Sequence, residues 1–116
     1  MTDDAFPIIS VDDIEAVRDF YSQLGFEQQY QFPPDGDPVF VQMRRGSSAI
    51  GIGGPASDRF AMWIYVEDVD LAVADLTERG ATLVDPPTDR PWGERVATVL
   101  DPAGNVVHLG SPTAAA

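Results

Sequence analysis

An internal repeat constrains the fold of this chain more than any other feature of its sequence. The order strand, acidic helix start, helix, glycine and three further strands occurs twice in 116 residues. A shift of 55 positions pairs Gly25 with Gly80, and towards the end of each half the shift grows to 57, which pairs Ile52 with Leu109. Because a chance match rarely preserves a whole series of elements, the repeat indicates two copies of one supersecondary unit.

Hydrophobic periodicity predicts one helix in each half of the chain. In the first half, apolar residues recur at helical spacing from Ile14 to Leu24. Asp12 is the predicted N-cap, Glu15 stands in capping-box position, and Gly25 ends the helix. The remaining predicted elements are a helix over 69–76 that ends before Gly80, and strands over 7–11, 26–32, 39–44, 49–53, 60–66, 82–84, 95–100 and 105–109.

The predicted fold class is α+β, with two tandem βαβββ modules whose strands form a cup-shaped mixed sheet. The modules span 6–54 and 59–110 of a single domain, 1–116, and residues 111–116 form a flexible tail. One helix covers only one face of a four-stranded sheet, so the other face needs a partner or encloses a ligand. We therefore expect the uncovered faces to curl into a cup that binds a small molecule.

The charge of the chain limits which partners it can attract. Nineteen acidic side chains and seven arginines give a formal net charge of −12. Such a surface repels nucleic acid, whose phosphates require basic side chains. It favours cationic ligands, although an acidic surface also serves solubility alone.

Other classes of protein are excluded by what the composition lacks. The sequence has no cysteine, so it has no disulfide, thiolate metal site or thiol nucleophile. It has no run of 18 apolar residues and no basic, apolar leader. We expect a cytoplasmic protein without membrane contact.

Aromatic residues fall where a cup would need them. Trp63 and Tyr65 are two positions apart on one predicted strand and therefore share a face. Trp92 lies in a Pro-Trp-Gly turn, and Phe40 and Met43 lie on a strand of the first half. Rings in such places either contact a ligand or are ordinary core side chains.

Three segments resemble the vicinal oxygen chelate superfamily, which includes glyoxalases, extradiol dioxygenases and bleomycin-resistance proteins. They are DIEAVRDFYSQLGF over 13–26, PWGER over 91–95 and DPAGNVVHL over 101–109. The likeness extends from about Phe6 to Gly110 and implies the glyoxalase/bleomycin-resistance fold. It says little about which activity of that superfamily is present.

The resemblance also identifies where the enzymes of that superfamily hold a divalent metal. Those positions fall on Phe6, Gly51, Ala61 and His108, and the repeat shifts of 55 and 57 relate them in pairs. Three of the four side chains cannot ligate a metal, and a catalytic site needs at least three protein ligands. His108 is the only histidine. We expect neither a metal nor another cofactor.

Among metal-free members, the likeness is greatest to bleomycin-resistance proteins, which sequester a drug in grooves of a homodimer. This implies a dimeric binding protein for an aromatic or cationic, antibiotic-like small molecule. The implied stacking residues are Trp63, Trp92 and Tyr30, and the remaining candidate ligand contacts are Tyr65, Phe40, Met43, His108 and Glu94.

Two other functions remain open on the sequence. One is an enzyme, a lyase, isomerase or dioxygenase with a non-standard site, in which His108 or Glu94 acts as general base. The other is a protein with no small-molecule role whose cup is filled by its own side chains.

Overall fold

A computed structural model describes residues 5–56 and 61–113 and divides the chain into two compact units. The first unit is Phe6–Phe60, and the second comprises Ala61–Ala116 with Met1–Ala5. Each unit holds one helix and four strands, so the mixed α+β fold predicted from the repeat is confirmed. The assignment of both units to a single domain stays a prediction.

The first unit contains helix α1 and a four-stranded sheet in the order β2-β3-β4-β1. Strand β1 runs parallel to β4, and the other neighbours are antiparallel. The elements are β1 (Ala5–Ser10), α1 (Ile14–Ser22), β2 (Glu27–Phe32), β3 (Phe40–Arg45) and β4 (Ser48–Gly53).

The second unit repeats this topology in the order β5-β8-β7-β6, with β5 parallel to β8. The elements are β5 (Ala61–Tyr65), α2 (Val69–Glu78), β6 (Thr82–Asp89), β7 (Glu94–Leu100) and β8 (Val106–Pro112). Ile8 pairs with Gly51 in the first unit and Trp63 with His108 in the second. The two shifts found in the sequence, 55 and 57, convert the first of these pairs into the second.

The N-cap of α1 is Asp13, so the prediction of Asp12 is wrong by one residue. The Asp13 carboxylate accepts a hydrogen bond from the backbone N–H of Ala16 at 3.0 Å. Asp12 instead accepts from the backbone N–H of Ala56 at 3.1 Å, which ties the helix start to the segment after β4. Asp68 caps α2 through the N–H of Leu71 in the same way as Asp13.

Each helix covers one face of its sheet with a small aliphatic core. The core of the first unit is Ile14, Val41, Met43 and Ile52. The core of the second unit is Val69, Val73, Ala97, Val99 and Leu109. Met43 is fully buried here, because alternate residues of β3 point towards α1. Its predicted contact with a ligand is therefore corrected to a role in the core.

Two strands extend beyond their predicted ends. Strand β6 continues past Val84 to Asp89, with irregular pairing on both sides of Asp85 that accommodates the two following prolines. Strand β8 continues to Pro112, so Ser111 and Pro112 do not belong to a flexible tail. Thr113 donates its backbone N–H to Gly93 at 3.0 Å. Residues 114–116 and the predicted strand start at Phe60 lie outside the described residues.

Within the described ranges, neither helix combines the length and apolar character that crossing a bilayer requires.

Candidate functional site

Within the described residues of the second unit, α2 covers one face of the sheet, and the opposite face carries no helix of that unit. Ile64 and Leu109 pack into the core beneath α2. Because side chains alternate along a strand, Trp63, Tyr65 and His108 point to the opposite side. We call this side, with Thr98 on the neighbouring strand, the helix-free face.

Three rings form a cluster on the helix-free face. The rings of Trp63 and Tyr65 are 5.9 Å apart at 62°, and the rings of Trp63 and His108 are 5.6 Å apart at 40°. A Cβ atom at Gly110 would lie 2.9 Å from Cζ2 of Trp63, so the indole rests directly on the backbone of β8. All three residues are partly buried, so part of each remains accessible to solvent.

His108 is held by a hydrogen bond to a buried side chain. Its Nδ1 lies 2.9 Å from Oγ1 of Thr98, which is 5% exposed and stands directly opposite it across β7 and β8. Burial lowers the pKa of His108 from 6.5; Asp85 opposes this shift and Arg90 adds to it. At neutral pH the imidazole is therefore uncharged.

Trp92 and Glu94 are joined in the turn that leads into β7. The indole Nε1 of Trp92 donates to Oε1 of Glu94 at 2.7 Å. Gly93 between them has φ = 94°, a conformation that glycine adopts without strain. Glu94 lies four residues before Thr98 on β7, so it shares the helix-free face with the ring cluster.

The corresponding face of the first unit carries Tyr30 and Phe40. Their rings are 6.4 Å apart at 54°. A Cβ atom at Gly51 would lie 2.9 Å from two ring carbons of Phe40 and 3.2 Å from Ile8. The metal position that the resemblance implies at Gly51 is thus covered by an aromatic ring.

The residues at the four metal positions do not fit a divalent ion. Phe6 and Ala61 carry no donor atom, and the Phe40 ring fills the space beside Gly51. The fourth position holds His108, whose Nδ1 is hydrogen-bonded to Thr98. In the part of the chain that the structure describes, no group of three or more His, Cys, Asp or Glu side chains could hold a metal.

Sequence reasoning did not find Thr98 or Asp85. Thr98 pairs with His108 across the β7–β8 hairpin, and Asp85 pairs with Thr98 from β6. The sequence signal for Thr98 was off by one residue, because the predicted strand ends at Leu100 and Asn105 set Thr98 opposite Val107, whereas the observed start of β8 at Val106 sets it opposite His108. No such signal existed for Asp85, because the irregular register of β6 is not readable from the sequence.

An acidic cleft of about 420 Å³ opens elsewhere, at the start of α1. It is lined by Asp12, Asp13, Ile14, Glu15, Asp37 and Pro38. Asp13 caps the helix and Asp12 binds the backbone of Ala56, so both carboxylates have structural partners. The cleft belongs to the first unit, and its lining includes none of the rings described above.

The chain is similar in sequence to a known protein family and to a bacterial protein. A sequence model of the Glyoxalase/Bleomycin resistance protein/Dioxygenase superfamily matches residues 5–109. An uncharacterised protein of Bacillus subtilis (strain 168), YraH, is 31% identical over 96 residues, which cover 76% of this chain and 75% of that protein.

Two solved structures share the fold over nearly the whole chain. A glyoxalase/bleomycin resistance protein/dioxygenase superfamily member from Vibrio splendidus 12B01 has a TM-score of 0.71 at 18% identity, over 97% of this chain and 100% of its own. A protein described as an NAD-dependent benzaldehyde dehydrogenase from Legionella pneumophila has a TM-score of 0.73 at 14% identity, over 95% and 100%. At such identities the likeness shows the fold alone.

Proposed function

Because the chain belongs to the glyoxalase/bleomycin resistance protein/dioxygenase superfamily, we propose that it binds planar aromatic or cationic small molecules, of antibiotic type, without a metal. It acts by sequestration. The observation that carries the proposal is the ring cluster of Trp63, Tyr65 and His108 on the face of the second unit's sheet opposite to α2. Rings held in this way offer flat surfaces for stacking, and the imidazole adds a polar group that orients a ligand.

The charges around the cluster support a cationic ligand. Glu94 lies on β7, the strand next to β8, and Asp85 lies on β6, the edge strand. The whole chain carries a net charge of −12. A negative field raises the local concentration of a cation and accelerates its association. A cation over an indole face gains further from the ring quadrupole.

The side chains at the metal positions support binding of a small molecule over metal-dependent catalysis. The side chains of Phe6 and Ala61 have no donor atom, and the third position, Gly51, is covered by the Phe40 ring. A catalytic divalent site uses at least three protein ligands, which these positions do not supply.

The proposal is tested by titrating the full chain with bleomycin and with mitomycin while following the fluorescence of its two tryptophans. We expect saturable quenching by at least one compound and protection of cells that express the chain. Trp63→Leu weakens binding about two- to tenfold, the range of one lost aromatic stack, and is followed by the fluorescence of Trp92. Leu71→Ala, an exposed position on α2, is the matched control and leaves binding unchanged.

Two results would contradict the proposed function. Absence of quenching by both compounds, together with absence of protection in cells, rejects sequestration of such ligands. A stoichiometric divalent ion bound at His108 in protein purified without chelator rejects metal independence.

The proposed assembly is a homodimer. Leu83 and Val84 are 41% and 50% exposed on β6, the last strand of the second unit's sheet. Exposed apolar side chains on an edge strand favour association with another copy of the chain. Sedimentation velocity at several concentrations checks this, with twice the monomer mass expected and a monomer at every concentration as the contrary result.

A further inference from the structure

Thr98 is the buried polar residue of the helix-free face that the proposed function leaves without a role. It is 5% exposed, and its Oγ1 lies 2.9 Å from Nδ1 of His108. Asp85 pairs with Thr98 on the other side of β7, but the hydroxyl has no hydrogen bond to the Asp85 carboxylate or to any other described residue. His108 is therefore its hydrogen-bond partner.

The direction of this hydrogen bond follows from the donors and acceptors available. A neutral imidazole has one nitrogen with a hydrogen and one with a lone pair. If Nδ1 carried the hydrogen, it would donate to Oγ1, and the buried hydroxyl hydrogen of Thr98 would have no acceptor. If Oγ1 donates to Nδ1, that hydrogen is satisfied and the ring hydrogen lies on Nε2. Leaving a buried donor unsatisfied is the more costly arrangement.

We propose that Thr98 is a positioning residue that donates to Nδ1 and holds neutral His108 as the tautomer with its hydrogen on Nε2. His108 then offers a hydrogen-bond donor beside Trp63, whose ring centre is 5.6 Å from its own. This deepens the proposed function and rests on it: the ligand is a planar ring system that carries an acceptor oxygen, such as a carbonyl, at its edge. An Nε2 that carries hydrogen has no lone pair with which to act as a base or a metal ligand.

The surroundings of His108 agree with a neutral ring. Burial dominates the lowering of its pKa, and the nearby charges, Asp85 on β6 and Arg90 after it, act in opposite directions. Trp63 faces it from β5 and Thr98 from β7, both uncharged. A protonated ring would carry hydrogen on both nitrogens and would lose the hydrogen bond that Thr98 donates.

The tautomer can be measured directly because the chain has a single histidine. A long-range ¹H–¹⁵N correlation spectrum of the full, ligand-free chain at neutral pH reports both ring nitrogens without ambiguity. We expect Nε2 at the shift of a protonated nitrogen and Nδ1 at the shift of an unprotonated one. In Thr98→Val, which removes the hydroxyl at nearly constant volume, both shifts move towards the average of two exchanging tautomers. Thr98→Ser keeps the hydroxyl and retains the wild-type pattern.

Two spectral results would overturn the inference without reference to any ligand. A protonated Nδ1 in the wild-type chain reverses the hydrogen bond. An unchanged pattern in Thr98→Val shows that Thr98 does not select the tautomer. If the valine variant does not fold, Thr98→Ala serves in its place, and the wild-type spectrum still decides the direction of the bond.

A matched pair of probes tests the chemistry of the ligand. The probes are 2-acetylnaphthalene and 2-ethylnaphthalene, which have similar shapes but differ in the acceptor oxygen, and the readout is the shift of the two indole N–H signals. We expect the ketone to bind the wild type about three- to tenfold more tightly and to lose this advantage in Thr98→Val. Equal affinity for both probes overturns the acceptor preference. Binding of neither probe contradicts the proposed function for planar ligands, while the spectrum separately decides the tautomer.

Discussion

In each of the two units an aromatic ring lies against a glycine of a neighbouring strand. Phe40 covers Gly51 in the first unit, and Trp63 covers Gly110 in the second. In both cases an added Cβ would come within 2.9 Å of a ring carbon, closer than carbon atoms pack without displacement. The glycines therefore decide how close each ring lies to its sheet.

A pair of alanine substitutions in β4 tests this close approach. Gly51→Ala forces the Phe40 ring to move and lowers the free energy of unfolding by about 1–3 kcal/mol, as overpacking does. Gly53→Ala is the matched control, because its Cβ would meet Phe40 at 3.4 Å, an ordinary contact. Chemical denaturation measures both variants. Equal stability of the two variants would show that the Phe40 ring does not require glycine at position 51.

The lowered pKa of His108 predicts a pH dependence of stability. Because the folded protein binds the proton less readily than the unfolded chain, the contribution of His108 is complete above pH 6.5 and is lost as the pH falls below it. The free energy of unfolding should therefore decrease on acidification below pH 6.5, before the carboxylates titrate. In His108→Gln this decrease disappears. A decrease of the same size in the variant would assign it to other groups.

Among the secondary-structure elements, the motifs that indicate the superfamily have structural roles. Asp101 of the DPAGN turn accepts hydrogen bonds from the backbone N–H groups of Ala103 and Asn105, which closes the β7–β8 hairpin. Bonds from Asn105 lower the pKa of the Asp101 carboxyl. Such residues specify a turn and not a ligand, which is why the motif identifies the fold and not the activity.

The arginine of PWGER has a similar structural role. Arg95 binds Asp70 in the first turn of α2 at 2.7 Å and Asp89 at the end of β6 at 3.0 Å. These bonds raise the pKa of Arg95 and lower that of Asp70. Arg95 thus connects a helix start to the hairpin that presents Trp92 and Glu94.

The N-cap of α1 provides a test of how much Asp13 contributes to stability. Asp13→Ala removes the acceptor for the N–H of Ala16 and lowers the free energy of unfolding by about 0.5–2 kcal/mol. Asp13→Asn keeps an acceptor oxygen and stays within a few tenths of a kcal/mol of wild type. Thermal or chemical denaturation followed by circular dichroism compares the two. An alanine variant as stable as the asparagine variant would indicate that another group caps α1.

Some element boundaries could not be predicted from local sequence. Consecutive prolines at 86 and 87 predict a strand end, yet β6 continues to Asp89 because pairing with β7 resumes after an irregular stretch. Asp12 and Asp13 are both good N-caps, and the contact of Asp12 with Ala56, 44 residues away, decides between them. In both cases a distant part of the chain overrides the local preference.

For the whole molecule, the net charge of −12 predicts a dependence of stability on salt. Increasing NaCl from about 0.01 M to about 0.15 M shortens the Debye length from roughly 30 Å to roughly 8 Å and screens the repulsion among carboxylates. The melting temperature should rise over this range. In a variant with Asp35→Asn, Glu67→Gln and Glu78→Gln, whose net charge is −12 + 3 = −9, the rise should be smaller. An equal rise in both proteins would indicate an effect of salt other than charge screening.

By itself, the sequence determined the repeated strand–helix–strand order and the fold class, since periodicity and turn residues are local properties. It also showed that Phe6, Gly51 and Ala61, which the resemblance implies as metal positions, have no ligating side chain. Tertiary structure decided which side of each strand faces a helix. It placed Met43 in the core, and it brought Thr98 to His108 beside Trp63. The physical reason is that register and burial depend on pairing between segments far apart in the chain, where a shift of one residue reverses every side chain.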